Sequence, residues 1–573
     1  MSWRTLRRLA ILHFAALVVF RIVYDQDEFS NWDLIGLLNA TSFPSLGSLM
    51  TLPQVHLAHP FRFPTYNSGT ESVLSLLLHR VIGPLWPHWS NAGVVLVYDA
   101  IFVWAVHRLL GFVFVREAAR CLAWLLLSMS PVILTFAAIS SFNMQAFATV
   151  AVGLLGAESV LRSRFISGAL LIAFAFLSVS QAYGLAYYVP VFCIAWLAAR
   201  SAMIVASRSP LRPSLNRNAA YLLTAIVMLT TAVQLGSEGK YIDRIVGTVT
   251  SASDAGDDRG LLERAPENAA TLVRAAFGSN TPDEELSPGF APYFLLFEGT
   301  LLALVMLAPD RSAARRGAGL LALAWMLLIA LGYAPALVGS VVKSQRCFFG
   351  DFFLALAIAP IGARVAMKTP SAFRFFAIQL GVVLLLSDVY YVASLLRIDH
   401  SRNHTPLFDY DASDGVARHD LTRIIAAMRS QAAEGQALLV IDDAKARDEN
   451  RTDPAVFHAR FLRQFGSYRA RGNLVFSCEF CDIEYGCPFP EVRGRPCASK
   501  CCYKSPLARL PAARPAAGSR VYLWTYLTGA QDDAKRQQRL ATVLGSRFLL
   551  KGNCYGEMAS GWRCFEFTPI TEG

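Results

Sequence analysis

Long apolar runs recur from the first residues of the chain to residue 396, many near the ~20 residues a helix needs to cross a bilayer. They fall at roughly 9–24, 91–115, 121–139, 143–160, 166–182, 184–199, 219–236, 291–308, 317–337, 348–366 and 375–396. The pattern predicts a mainly α fold, a polytopic membrane helix bundle of about 11 spans. Composition agrees: 54% of the 573 residues are hydrophobic and 17% charged, against roughly 25% charged in a soluble protein. No small-residue cleavage site follows the first run, so it reads as a retained first helix and not as a signal peptide.

Charge gives the orientation. With "MSWRTLRR" inside, the inside loops carry Arg116 and Arg120, then Arg162 and Arg164, then Arg200, Arg208, Arg212 and Arg217. Arg311, Arg315 and Arg316 follow, and last Arg364 and Lys368. The loops on the other side hold the acidic stretch after Tyr24, "SDAGDDRG" and "TPDEELSP". This is the positive-inside pattern. The formal charge of +11 is therefore spread over short loops and forms no continuous basic face, which argues against a nucleic-acid partner. The sequence predicts an integral protein of a bacterial inner membrane, its N-terminus cytoplasmic and its C-terminal domain periplasmic.

Two outside loops are long, residues 25–90 and 237–290. The first contains "NWDLIGLLNA", "SLGSLM" and "SVLSLLLHRVIG", and the second "KYIDRIVGTVTS" and "ENAATLVRAAFG". These pieces are too short to cross and suit helices lying in the interface. A transmembrane module thus occupies residues 1–396. Residues 397–573 read as an external soluble domain of α/β or α+β type, with a helix in "DLTRIIAAMRSQAAEG" and strands in "QALLVID", "SRVYLWTYLTG" and "WRCFEFTPI".

Eight of the eleven cysteines lie in that domain: Cys478, Cys481, Cys487, Cys497, Cys501, Cys502, Cys554 and Cys564. "CEFC" and "CASKCC" have the spacing of zinc-binding thiolates. An oxidising exterior favours disulfides instead, and an even count fits up to four bridges of unspecified pairing. Cys121, Cys193 and Cys347 lie in or beside spans and read as packing residues.

The polar groups that could carry chemistry gather on the outside. "DQDEFSNWD" places Asp25, Asp27, Glu28 and Asp33 just beyond the first span, where a partly apolar setting can tune a carboxylate toward general-base work. A decorated helix exit explains the same residues. The first loop adds His56 and His59, and the second Asp283, Glu284 and Glu285, which a turn between prolines also accounts for. "VKSQRCFFGDFF" supplies Lys343 and Arg346 at the outer end of the tenth span, against the charge rule, so an anionic partner such as a lipid phosphate or a loop carboxylate is expected. Gln181 and Tyr183 sit at an outer turn where tyrosines also serve as interface anchors. Within the spans, Asp99, His107 and Arg108 are unusual, the last two close to the cytoplasmic end.

In layout the chain resembles the GT-C superfamily of integral-membrane glycosyltransferases, whose donors are polyprenyl-phosphate-linked sugars. Lipid A aminoarabinose transferases and protein O-mannosyltransferases are relatives of that kind. The shared features are the acidic residues after the first span, the long first loop with interfacial helices, the second long loop after the seventh span, and the external domain. The resemblance implies inverting transfer of a sugar to a hydroxyl of a cell-surface glycan, glycolipid or protein. Asp27, or else Asp25, would act as base, with Glu28 beside them. Lys343 and Arg346 would hold the departing lipid phosphate. It implies no required cofactor; a divalent metal on Asp27, Glu28 and Asp283 is the less favoured alternative. Other readings are a glycan polymerase or ligase using a lipid-linked donor, a lipid or sugar transporter such as a flippase, and an inactive scaffold.

Overall fold

The computed structural model describes residues 2–25, 69–82, 87–128, 142–179, 188–206, 209–236, 315–338, 344–368, 438–441, 474–476, 520–526, 548–554 and 562–569, with short pieces at 133, 137, 242, 265–270, 382, 427–428 and 430–431. The helices are α1 (Trp3–Asp25), α2 (Gly69–Ile82), α3 (Pro87–Val113), α4 (Glu117–Ser128), α5 (Phe142–Leu161), α6 (Phe165–Val179), α7 (Tyr188–Ala206), α8 (Leu215–Gly236), α9 (Arg315–Val338) and α10 (Ser344–Lys368). Five stretches are long and apolar enough to cross a membrane: Gly93–Val113, Met144–Leu161, Tyr188–Val205, Arg212–Leu235 and Cys347–Arg364. Phe165–Ser178 and Leu323–Leu337 are shorter apolar helices. This is the character of a helical membrane protein.

The expected spans at 9–24, 91–115, 143–160, 166–182, 184–199, 219–236, 317–337 and 348–366 each coincide with a described helix, and 121–139 does so through Ser128. The runs at 291–308 and 375–396 lie outside the described residues, apart from residue 382. In the first loop, the stretch around "SVLSLLLHRVIG" is helical as α2, which packs on α3 and α6.

α5 is the hub of the bundle. Every residue from Met144 to Leu161 is buried, and α3, α6, α7, α8 and α10 all touch it. Its composition allows this, because "ATVAVGLLGA" presents small side chains between larger ones. Gly156 meets Gly168 of α6 so closely that a Cβ on Gly156 would lie 2.9 Å from the Gly168 carbonyl oxygen. At the other end of α5, Phe147 stacks on Phe348 of α10, with ring centres 3.5 Å apart. Phe348 also meets Phe102 of α3 at 6.0 Å, and Phe102 meets Phe14 of α1 at 6.4 Å. Phe349 reaches Tyr188 and Phe192 of α7. The "CFFGDFF" segment thus wedges aromatic rings between α3, α5 and α7, and Gly350 within it allows α9 to approach. A Cβ on Gly332 of α9 would lie 2.6 Å from the Gly350 nitrogen.

The strands β1 (Leu438–Ile441), β2 (Leu474–Phe476), β3 (Val521–Tyr526), β4 (Phe548–Asn553) and β5 (Trp562–Pro569) form one sheet in the order β2-β1-β3-β5-β4. β1 runs parallel to β2 and β3, and the β4–β5 hairpin adds antiparallel to β3. The strands read in "QALLVID", "SRVYLWTYLTG" and "WRCFEFTPI" are β1, β3 and β5. A register shift between Leu550 and Gly552 bends β4, and Gly552 adopts φ 151°, a backbone state that side chains resist. Cys554 and Cys564 close this hairpin with a disulfide, Cα to Cα 5.3 Å, beside a backbone bond from Cys554 N–H to the Cys564 carbonyl (3.0 Å). That bridge joins two of the eight cysteines expected to pair. Cys478, Cys481, Cys487, Cys497, Cys501 and Cys502 lie outside the described residues. Cys121, Cys193 and Cys347 are buried and take no part in the disulfide described, as packing residues should be.

Candidate functional site

Side-chain contacts sort the helix ends into two groups. Arg7 near the start of α1 pairs with Glu117 at the start of α4 (2.8 Å). Arg120 donates to the carbonyls of Phe114 and Gly111 at the end of α3, and Arg162 at the end of α5 donates to the Phe112 carbonyl. Arg200 of α7 binds Glu158 of α5 in two places, Nε to Oε2 at 2.9 Å and Nη2 to Oε1 at 2.8 Å, and Arg162 adds a third bond at 3.1 Å. Asn218 in α8 donates to the Leu161 carbonyl (2.8 Å). The starts of α1, α4, α6 and α8 and the ends of α3, α5 and α7 therefore share one arginine-rich end. His107 and Arg108 lie toward it, as their place in α3 suggested, with Arg7, Glu117 and Arg120 in electrostatic range of His107.

The opposite end gathers the end of α1, which is Asp25, and the start of α10, whose first turn includes Arg346. A piece of the second long loop reaches this end as well. Residues 265–270 are helical, and buried Asn268 donates to the Leu337 carbonyl (2.8 Å), satisfying one of the open acceptors at the end of α9. Gln145, at the start of α5, donates to the Ser178 carbonyl at the end of α6 (3.1 Å). Asp27, Glu28, Asp33, His56, His59, Gln181, Tyr183, Asp283, Glu284, Glu285 and Lys343 lie outside the described residues. Of the candidates read from the sequence, Asp25 and Arg346 are thus the pair brought to one end of the bundle.

Two acidic groups inside the bundle gain interest from the fold. Asp99 of α3 is 6% exposed, and neither carboxylate oxygen has a hydrogen-bond partner among the described residues. It lies on the buried stripe of α3 with Val95, Phe102 and Val106, one turn from the Phe14–Phe102–Phe348 contact on the side away from the arginines. Because α1 runs antiparallel to α3, Asp99 sits roughly 12 Å short of the level of Asp25 at 1.5 Å rise per residue. A carboxylate without a partner at this depth is costly, which is why such groups mark ion, proton or substrate sites more often than structural ones. Asp351 of α10, by contrast, accepts a hydrogen bond from the Tyr333 hydroxyl of α9. Sequence reasoning singled out Asp99 as an acid in an apolar run. It passed over Asp351 and Glu158, although the same signal, a lone acid in "FFGDFF" and in "LLGAESVL", was available for both.

The chemistry of the two ends differs accordingly. Glu158 is fully buried yet holds three hydrogen bonds from two arginines. The geometry there supports a clamp between α5 and α7. The other end presents an acid with no hydrogen-bond partner among the described residues, beneath helix termini that carry Asp25 and Arg346. No protein-family model matches the chain, and no curated protein matches it.

Proposed function

We propose that the chain is an inverting membrane glycosyltransferase that works at the end of the bundle opposite the arginines. The observation that carries this reading is the chemical asymmetry of the two ends: ion pairs lock one, while Asp25, Arg346 and the unpartnered Asp99 gather toward the other. The charge pattern of the loops makes that end the external one. A polyprenyl-phosphate sugar enters from the bilayer, and a hydroxyl of a glycan, lipid or protein attacks its anomeric carbon. Asp27, or Asp25 in its place, takes the hydroxyl proton as the new C–O bond forms. The bond from the anomeric carbon to the phosphate oxygen breaks, and its electron pair leaves with the lipid phosphate. Lys343 and Arg346 stabilise the charge growing on that oxygen. Glu28, His56, His59, Gln181, Tyr183, Asp283 and Glu285 line the sugar and acceptor sites. The phosphate is a competent leaving group, so no covalent enzyme intermediate is required. The soluble domain at 397–573 is periplasmic and braced by disulfides.

Mass spectrometry of cell-surface glycans and glycolipids, with and without the gene, tests the reading. Loss of one sugar residue on deletion is expected, with the same loss for Asp27→Asn at normal expression. Unchanged glycans on deletion end the proposal. Unchanged glycans in both Asp27→Asn and Asp25→Asn end the assignment of the base.

Asp99 favours one second reading, a carrier that couples transport to a proton or cation, because such devices place an unpaired acid within the bundle. A carrier leaves the pool of finished glycan bonds intact when substrate is supplied on the outer side, whereas a transferase does not.

A further inference from the structure

The turn between α5 and α6 is a meeting point of guanidinium groups. The Arg162 and Arg164 guanidinium carbons lie 4.9 and 5.2 Å from the centre of the Phe112 ring at the end of α3. Arg217, in the first turn of α8, lies 6.0 Å from the ring of Phe165. α8 is tied to the same turn, since Asn218 donates to the Leu161 carbonyl and to the Ser163 hydroxyl (3.0 Å). Ser163 takes φ 63°, which lets the chain reverse and carry Arg162 and Arg164 on either side of it.

Charge there is out of balance. Among the described residues Glu158 is the carboxylate of this cluster, and Arg200 and Arg162 already occupy it. Arg164 and Arg217 are exposed, and their partners among the described residues are aromatic rings, which accept none of the guanidinium N–H bonds that an anion would.

Directly beyond these cations the surface turns apolar. Ile166 and Leu170 of α6 are 81% and 66% exposed, and Leu177 continues their row. Val227 and Met228 of α8 are 62% and 65% exposed. Phe165 and Tyr221 join the two helices, ring centres 4.7 Å apart. Two exposed cations thus head an apolar track along two neighbouring helices, the outline of a diacyl phospholipid.

We propose that this track binds one anionic phospholipid from the leaflet at the arginine-rich end, its phosphate held by Arg164 and Arg217 and its chains lying along α6 and α8. A zwitterionic headgroup would bring its own ammonium beside arginines that meet no carboxylate among the described residues, so the site selects net negative charge. The proposal does not depend on what the opposite end does.

The test uses the full chain, purified in a neutral detergent and stripped of lipid. Native mass spectrometry is run after adding phosphatidylglycerol or phosphatidylcholine in equal amounts. Retention of one phosphatidylglycerol is expected, with affinity about 30-fold lower in Arg164→Gln/Arg217→Gln, from two cations near the headgroup. Arg164→Lys/Arg217→Lys keeps the charge and retains most of the binding. Equal retention of both lipids by the unaltered protein overturns the proposal whatever the variants do, and so does undiminished binding in the glutamine variant. Inorganic phosphate in place of lipid leaves the melting temperature unchanged; protection by phosphate alone overturns the track as a lipid site.

Discussion

The two ends of the helix bundle handle charge in opposite ways. At the arginine-rich end, Glu117 and Glu158 are each ion-paired with arginines, and the helices are tied to one another. Glu158 accepts from Arg162 and Arg200, Glu117 forms an ion pair with Arg7 and accepts from Arg120, and three carbonyls at the end of α3 accept from arginines. At the other end aromatic rings do the packing, around Phe147, Phe348 and Phe349, and Asp99 has no hydrogen-bond partner among the described residues. A buried acid with three donors is explained by the fold; a buried acid with none among the described residues is a candidate for function. On the proposed function, the difference would separate scaffold from working surface.

The sharpest test of that division is Glu158→Gln. Arg200 is 8% exposed and draws its ionic partner from Glu158, so the substitution leaves a buried guanidinium facing a neutral amide. A loss of about 3–5 kcal/mol is expected from breaking a buried pair at one partner. Thermal unfolding in detergent measures it. A melting temperature within error of the unaltered protein would mean that the clamp between α5 and α7 carries no stability, and the contrast between the ends would collapse.

Asn218→Ala probes the same end at a neutral contact. Its amide donates to the Leu161 carbonyl, the Ser163 hydroxyl and the Ser214 hydroxyl. Removal leaves a buried carbonyl unsatisfied and should cost about 1–3 kcal/mol. The loss should fall below that of Glu158→Gln; a larger loss would show that hydrogen bonding, and not charge, holds this end together.

How much of this was legible in the sequence follows from the physics of each signal. Helix positions were, because an apolar run such as "VGLLGAESVL" can remain buried only as a helix with its backbone bonds made internally. The gathering of arginines at one end was too, because Arg116, Arg162 and Arg212 recur loop by loop. Partnerships were not. Arg200 and Glu158 lie 42 residues apart, Asn268 and Leu337 lie 69 apart, and no local pattern encodes contacts at that separation. The disulfide was half legible: the cysteine count implied bridges, while the choice of Cys554 for Cys564 required the β4–β5 register. Asp99 could be named from sequence as an oddity. That neither of its oxygens meets a hydrogen-bond partner among the described residues is visible only in the folded bundle.

Asp99→Asn carries the smallest expected effect on stability, and its sign decides the comparison. The amide has the shape of the carboxylate without its charge. Among the described residues nothing donates to Asp99, so an ionised carboxylate there opposes folding, and a neutral amide, though still costly to bury without a partner, costs less. The melting temperature of Asp99→Asn should therefore equal or exceed that of the unaltered protein, the reverse of Glu158→Gln although both substitutions make the same chemical change in a buried acid. Activity should move the other way, falling in Asp99→Asn while folding is retained. A stability loss as large as that of Glu158→Gln would instead give Asp99 a structural partner, and the end of the bundle that holds Asp25 and Arg346 would lose its claim to be the working one.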